Sequence, residues 1–153
     1  MCNRKKSILT HIIFFTLIVS LLLPINVGAT TSLEVQPRES LYLSSYGAYI
    51  HLPGNGKVQV WFDVQGAGTM DELGALTIEI WESKDGNSWT WKKSFTHDST
   101  PGMLSYNDFF HSSHVEYQGV EGRYYKAYVC VWGGKGGKGD TRYFWTIPQP
   151  DLP

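Results

Sequence analysis

The chain has 153 residues, 42% of them hydrophobic and 14% aromatic, and its formal net charge is −1 at pH 7. This length suits one domain with a single hydrophobic core and leaves little room for a second. Thirteen basic residues against fourteen acidic ones give no excess of positive charge, so nucleic acid is not an expected partner.

The first 29 residues are predicted to be a secretory signal peptide. A basic start at residues 4–6 precedes an apolar run at residues 8–23, and small residues follow at 27–29. The apolar run is shorter than the roughly 20 residues that a membrane-spanning helix needs. We therefore expect cleavage between Ala29 and Thr30 and a secreted, extracellular protein with no membrane contact. An uncleaved membrane anchor is the alternative.

Cleavage would change both the charge and the cysteine content of the chain. Three of the basic residues and none of the acidic ones lie within residues 1–29, so residues 30–153 carry a net charge of −4. Cys2 would also be removed, which leaves Cys130 as the only cysteine. Because one cysteine cannot form an internal disulfide, the folded chain must be stabilised by packing, with Cys130 as a packed or shielded small side chain. A reactive thiol or an intermolecular disulfide is the alternative.

Alternation of apolar and polar residues predicts β-strands along the rest of the chain. Residues 57–65 and 75–82 alternate strictly, whereas residues 41–52, with a break at 44–47 that suggests a bulge, and residues 110–117 show weaker patterns. The apolar faces of the two clear strands consist of Val58, Val60, Phe62, Val64, Leu76, Ile78 and Ile80. No segment has the pattern of an amphipathic helix.

The second clear strand is expected to continue into a β-hairpin. The turn residues 84–87 tolerate positive φ, and a four-residue loop pairs Ser83 with Ser88. That register would place Trp91 opposite Ile80, and Phe95 opposite Leu76, on one apolar face that also includes Trp89.

A second hairpin is expected around the glycine-rich residues 133–139. Its strands would be residues 123–132 and 140–147, with Val131 opposite Thr141, Val129 opposite Tyr143 and Ala127 opposite Trp145. That side of the hairpin is predicted to face the core.

These elements predict an all-β fold. Six or seven short antiparallel strands separated by turns are typical of an immunoglobulin-like, two-sheet β-sandwich, with a small closed barrel as the alternative. We expect a single domain at residues 30–147 and a flexible, proline-rich tail at residues 148–153.

The second hairpin carries the candidate binding site. In the predicted register, one face would present aromatic and basic side chains where solvent is expected. Flat rings beside polar groups suit sugar rings or peptide chains, so this face is predicted to bind a ligand. The alternative is that neighbouring segments cover the rings as a second small core. The candidate residues are Tyr124, Lys126, Tyr128, Trp132, Arg142 and Phe144.

Other motifs point away from metals, cofactors and catalysis. His111 and His114 are weak candidates for a zinc or copper site, because positions three apart on a strand face opposite sides. Residues 134–139 match G-x-G-x-x-G, but a strand follows where a dinucleotide site requires a helix. No catalytic motif is recognisable. We expect no metal, no cofactor and no enzymatic activity.

Three segments, residues 58–64, 111–115 and 122–129, resemble a family of small exported proteins of Gram-positive bacteria that is a domain of unknown function. The resemblance extends over about residues 43–145 and implies export and one compact domain, without an activity or functional residues. A fainter resemblance, to bacteriocins of the lactococcin 972 type, rests on His111, His114 and residues 126–129 and 143–145. It implies an antimicrobial function.

The sequence thus predicts a secreted, non-enzymatic β-sandwich module. Its aromatic face would bind a surface polymer, possible partners being a cell-wall polysaccharide or a surface protein. A secreted bacteriocin-like antimicrobial protein is the alternative, and an unrecognised secreted hydrolase is the third hypothesis.

Overall fold

The alternating pattern of the sequence produces a molecule made of β-strands. The computed structural model describes residues 40–151, which contain seven strands and no helix. The predicted signal peptide and cleavage site lie outside the described residues. Among residues 40–151, no helix is long and apolar enough to cross a membrane. The strands are β1 (Leu43–Gly54), β2 (Lys57–Ser83), β3 (Trp89–Thr96), β4 (Leu104–Gln118), β5 (Tyr124–Lys135), β6 (Lys138–Trp145) and β7 (Gln149–Pro150).

Strand β2 organises the whole sheet. It joins the two strands predicted at residues 57–65 and 75–82 into one strand of 27 residues. Its first half pairs with β1 and β4, and its second half pairs mainly with β3 and β5. The pairing is irregular between Gln65 and Met70 and again between Ala75 and Thr77, and such irregularities bend a strand. We call β1, β4 and residues 57–66 the first arm, and β3, β5, β6 and residues 72–83 the second arm.

The sheet curls so that side chains at its two edges contact each other. All the strand pairs are antiparallel, and hydrogen bonds connect all seven strands in a single sheet shaped as a half-barrel. The rings of Tyr46 on β1 and Phe144 on β6 lie 5.3 Å apart between centroids, and Ser40 is hydrogen-bonded to Asp140. The prediction of an antiparallel all-β fold is confirmed. Two separate sheets are not confirmed, because the long β2 belongs to both arms.

The hydrophobic core lies inside the curl and takes side chains from both arms. The predicted apolar row of residues 57–65 is buried, and so are Ile78 and Ile80. Leu76, predicted to join them, is only half-buried, and Ala75 is buried instead. The cause is the irregular pairing after Ala75, which shifts the alternation by one residue. In β1, the predicted bulge is present between Leu43 and Ser45.

The first hairpin has the predicted turn but a different register. Its loop pairs Ser83 with Trp89, so Trp91 lies opposite Trp81 and not opposite Ile80. A bulge at Lys92 then restores the inward position of Phe95, which packs against the core. The predicted pairing of this hairpin was therefore wrong by one residue.

The turn itself is held by one carboxylate. Oδ1 of Asp85 accepts hydrogen bonds from the backbone N–H groups of Asn87 and Ser88 at 2.9 and 2.8 Å, and from the Ser83 hydroxyl at 2.8 Å. These donors favour the charged form and lower the pKa of Asp85 to about 2.

The second hairpin is also one residue out of the predicted register. Val131 pairs with Arg142 and Val129 with Phe144. Since successive side chains of a strand point to opposite faces, this shift turns Phe144 and Arg142 toward the inside. It turns Tyr143 and Trp145 outward.

The end of the described chain returns to the sheet. Gln149–Pro150 forms β7, which pairs with Tyr124 and Tyr125 at the start of β5. The backbone N–H of Asp151 donates to the carbonyl of Arg123 at 2.7 Å, and Asp151 is buried. Residues 149–151, expected to belong to a flexible tail, are therefore tied to β5.

Candidate functional site

An aromatic surface covers the outer side of the second arm. Each strand of this arm contributes at least one ring, because the outward positions of neighbouring strands fall into register. Trp91 lies opposite Trp81, Trp81 lies opposite Lys126, and Tyr128 lies opposite Trp145. We call this surface the aromatic face; it consists of Trp81, Trp89, Trp91, Lys126, Tyr128, Tyr143 and Trp145.

Lys126 lies at the centre of the aromatic face. Its Nζ is 4.5 Å from the centroid of the Trp89 ring and 4.2 Å from that of Trp145. Both distances are within the range of attractive cation–π contacts. The two indoles therefore hold the ammonium group in one place on the surface.

The remaining rings of the aromatic face contact one another. Trp145 lies 4.8 Å from Tyr128 and 5.8 Å from Trp81 between ring centroids, and Tyr128 lies 6.0 Å from Tyr143 in a stacked arrangement. These separations are those of favourable aromatic pairs. Mutual contact fixes the rings in place before any ligand arrives.

The aromatic face is open to solvent. Trp91 is 51% exposed, Tyr143 is 61% exposed and Trp145 is 47% exposed. Within residues 40–151, no segment covers these three rings as a second core. Exposed contiguous aromatic area is unusual in a soluble domain and typically marks an interaction site.

Beyond Tyr143, the outer side of β5 leads to a groove at the tip of the second hairpin. The groove has a volume of about 360 Å³ and is lined by Trp132, Tyr106, Glu72, Lys135 and other residues of the tip. The indole N–H of Trp132 donates to Glu72 at 3.2 Å. The Trp132 ring packs against Gly134 and Gly139, where a Cβ atom would run into it. Glycine at these positions therefore lets the indole lie flat on the sheet.

The six predicted binding residues fall into three places. Lys126 and Tyr128 belong to the aromatic face, and Trp132 lies in the groove at the hairpin tip. Tyr124 lies beside Gly86 of the first turn. Arg142 and Phe144 lie on the inner side of the sheet, so their predicted outward position was wrong.

Arg142 and Phe144 have structural contacts on that inner side. Phe144 packs against the core beside Tyr46. Nη2 of Arg142 lies 3.7 Å from Asp140, and its side chain is largely covered.

The prediction missed most of the aromatic face. Trp145 and Tyr143 were assigned to the inner side, and Trp89 and Trp91 were expected to face the core. The information that would have placed them was the length of each hairpin loop, which fixes which residues point outward. Trp81 was correctly predicted to lie on the polar face of its strand, away from the apolar residues, but it was not included in the predicted site.

Cys130 lies under the aromatic face and is buried, as expected for a small packed side chain. Burial raises the pKa of its thiol, which also contacts Tyr143 and Thr77. A raised pKa keeps the sulfur in the unreactive thiol form at neutral pH. The geometry gives Cys130 a packing role beneath Tyr143.

The two candidate metal ligands point away from each other. His111 pairs with Val64 and His114 with Trp61, two positions on opposite faces of β2. Nε2 of His111 is 2.9 Å from the carbonyl oxygen of Gly102, and the His114 ring stacks on Trp61 at 4.3 Å. Among residues 40–151, no group of three histidine, cysteine or carboxylate side chains could hold a metal ion.

Comparison with known proteins adds no family to this description. No protein-family model matches the sequence, and no curated protein matches it. The function therefore has to be argued from the site itself.

Proposed function

We propose that this protein is a secreted, non-enzymatic module that binds a surface polysaccharide through the aromatic face. The main support for this proposal is the solvent-exposed set of rings around Lys126, in which Trp91, Tyr143 and Trp145 are each about half exposed. Exposed rings held rigidly by one another lose little conformational freedom when a ligand binds.

A polysaccharide suits this surface better than a folded protein partner. Along β5 and β6 the rings run from Trp145 through Tyr128 to Tyr143, and the groove at Trp132 continues the same line. Lys126 and Trp132 are six positions apart on β5, which corresponds to about 20 Å along a strand. A row of rings of this length suits an extended chain of sugar rings, each of which can lie against one aromatic ring.

The binding test uses the full chain produced in an exporting host and purified Gram-positive cell walls. We expect the protein to sediment with the walls, and we expect Trp145→Ala to weaken this binding about tenfold or more, as for central aromatic residues of other interfaces. Tyr49→Ala is the matched control, since Tyr49 is 57% exposed on the first arm, and it should keep its binding within about twofold. Failure of the unmodified protein to sediment would contradict the proposal.

We further propose that the two arms act as the layers of an immunoglobulin-like sandwich. Both arms bury their apolar rows in one core. In addition, the Tyr125 hydroxyl contacts the backbone of Val120, five residues upstream, which is similar to the tyrosine corner of such domains. An experimental structure with the arms as two packed layers would support this. Export, antimicrobial action and hydrolysis stay predictions from the sequence.

A further inference from the structure

We propose that the polysaccharide bound by the aromatic face is acidic, with its anionic groups held by the lysines along β5. This inference rests on the proposed function and specifies its ligand class. It starts from Lys126, the cation held between Trp89 and Trp145.

Lys126 has no acidic partner within the part of the chain that the structure describes. The ion pairs among residues 40–151 involve Lys57, Lys92, Arg142 and two histidines, but not Lys126. The two indole rings exclude part of the water around the ammonium group. Its N–H donors form no hydrogen bond with a carboxylate of the described residues. A partly desolvated cation attracts an anion more strongly than a fully hydrated one.

The carboxylates along the same surface are already engaged by N–H groups. Glu79 accepts from the indole of Trp81 at 3.4 Å, and Glu72 accepts from Trp132. At the hairpin tip, Asp71 accepts from the backbone N–H of Gly136 at 2.7 Å. These neutral donors leave the charge of each carboxylate in place, but none of the three acidic residues forms an ion pair with Lys126. The positive charge of Lys126 is therefore not paired with a carboxylate of this surface.

A second pair of cations lies at the other end of the row of rings. Lys135 and Lys138 face each other across the hairpin tip and line the groove at Trp132, and neither forms an ion pair within residues 40–151. Lys126 and Lys135 are nine positions apart on β5, about 30 Å along a strand. A single charged sugar could not reach both ends. The spacing fits a linear polymer that carries carboxylates along its length.

The test compares two forms of one backbone, polygalacturonate and its methyl ester. Binding by the full chain is measured by affinity electrophoresis at low salt. We expect polygalacturonate to bind about tenfold or more tightly than the ester, and we expect added salt to reduce this difference. Equal binding of the two forms would overturn the acidic ligand while leaving the proposed polysaccharide binding intact.

Variants of one lysine provide the second part of the test. Lys126→Met should remove most of the preference for polygalacturonate, whereas Lys126→Arg should retain it because the arginine side chain keeps both the charge and the stacking. Lys57→Met is the matched control for net charge on the first arm and should have no effect. A preference unchanged in Lys126→Met would overturn the inference.

Two further outcomes separate this inference from the proposed function. If neither polygalacturonate, nor its methyl ester, nor any neutral polysaccharide binds, both the proposed function and this inference are overturned. If dextran sulfate binds as tightly as polygalacturonate and Trp145→Ala has no effect, binding is by charge alone, and both proposals are overturned.

Discussion

The hydroxyl of Tyr125 lies where β2, β5 and the loop before β5 meet. It donates to the carbonyl of Val120 at 2.8 Å, accepts from the backbone N–H of Val120 at 2.7 Å, and lies 3.2 Å from Glu82. The ring is fully buried, so water cannot replace any of these contacts. Buried polar groups that lose their partner cost more than the hydrogen bond itself contributed.

Tyr125→Phe is therefore expected to destabilise the protein by about 1–3 kcal/mol, because the loop loses both contacts to Val120. Urea denaturation of the unmodified protein and of Tyr125→Phe at pH 8 measures this difference in unfolding free energy. An equal midpoint for both would mean that the loop is held without the hydroxyl.

The same substitution has an expected pH dependence. Burial raises the pKa of Tyr125 to about 12, from an ordinary value of 10.0. Between these values the unfolded chain releases the proton and the folded chain retains it, so the unmodified protein loses stability as pH rises from 10 to 12. Tyr125→Phe does not lose stability in this way. The difference in unfolding free energy between the unmodified protein and the variant should therefore become smaller from pH 10 to pH 12. A constant difference across it would contradict the assignment.

At the scale of the element, both hairpins show how loop length decides which rings are exposed. The apolar face of β5 was predictable because Ala127, Val129 and Val131 recur at every second position of the strand, and all three are buried. The partner strand was not predictable in the same way. Strand β6 has aromatic residues at three consecutive positions, 143–145, so either register gives a plausible apolar face.

A pair of adjacent substitutions tests the observed register. Phe144→Ala should cost about 2–3 kcal/mol, because the ring packs against the core and Tyr46, while Tyr143→Ala on the exposed side should cost less than about 1 kcal/mol. Thermal and urea unfolding provide both values. The reverse order would mean that the strand pairs as the sequence first suggested.

At the scale of the molecule, one core serves both arms of the curled sheet. Val60 of the first arm and Val129 of the second are fully buried in the same cluster. Strand β2 runs through both arms without a chain break. Neither arm can open without exposing the apolar face of the other.

This arrangement predicts a single cooperative unfolding transition. Val60→Ala and Val129→Ala should each lower the unfolding free energy by about 2 kcal/mol, since both remove buried methyl groups. For each variant, far-ultraviolet and near-ultraviolet circular dichroism should give the same midpoint in urea. Two transitions within one variant, or different midpoints from the two probes, would show that the arms unfold independently.

The sequence by itself determined the class of the fold and most of its inward-facing residues. Alternation with a period of two is a local property, and burial of one face follows from it, as in the row from Val58 to Val64. The turn at Asp85 and the packed Cys130 were likewise readable from residue type.

The tertiary structure alone decided the composition of the site and the curl of the sheet. The aromatic face depends on a one-residue difference in the register of each hairpin and on a bulge at Lys92, and those features result from packing among several strands. The union of two predicted strands into β2 depends on partners far apart in sequence, such as β1 and β5. The energy of such contacts is distributed over the whole core, so it cannot be predicted from a local sequence pattern.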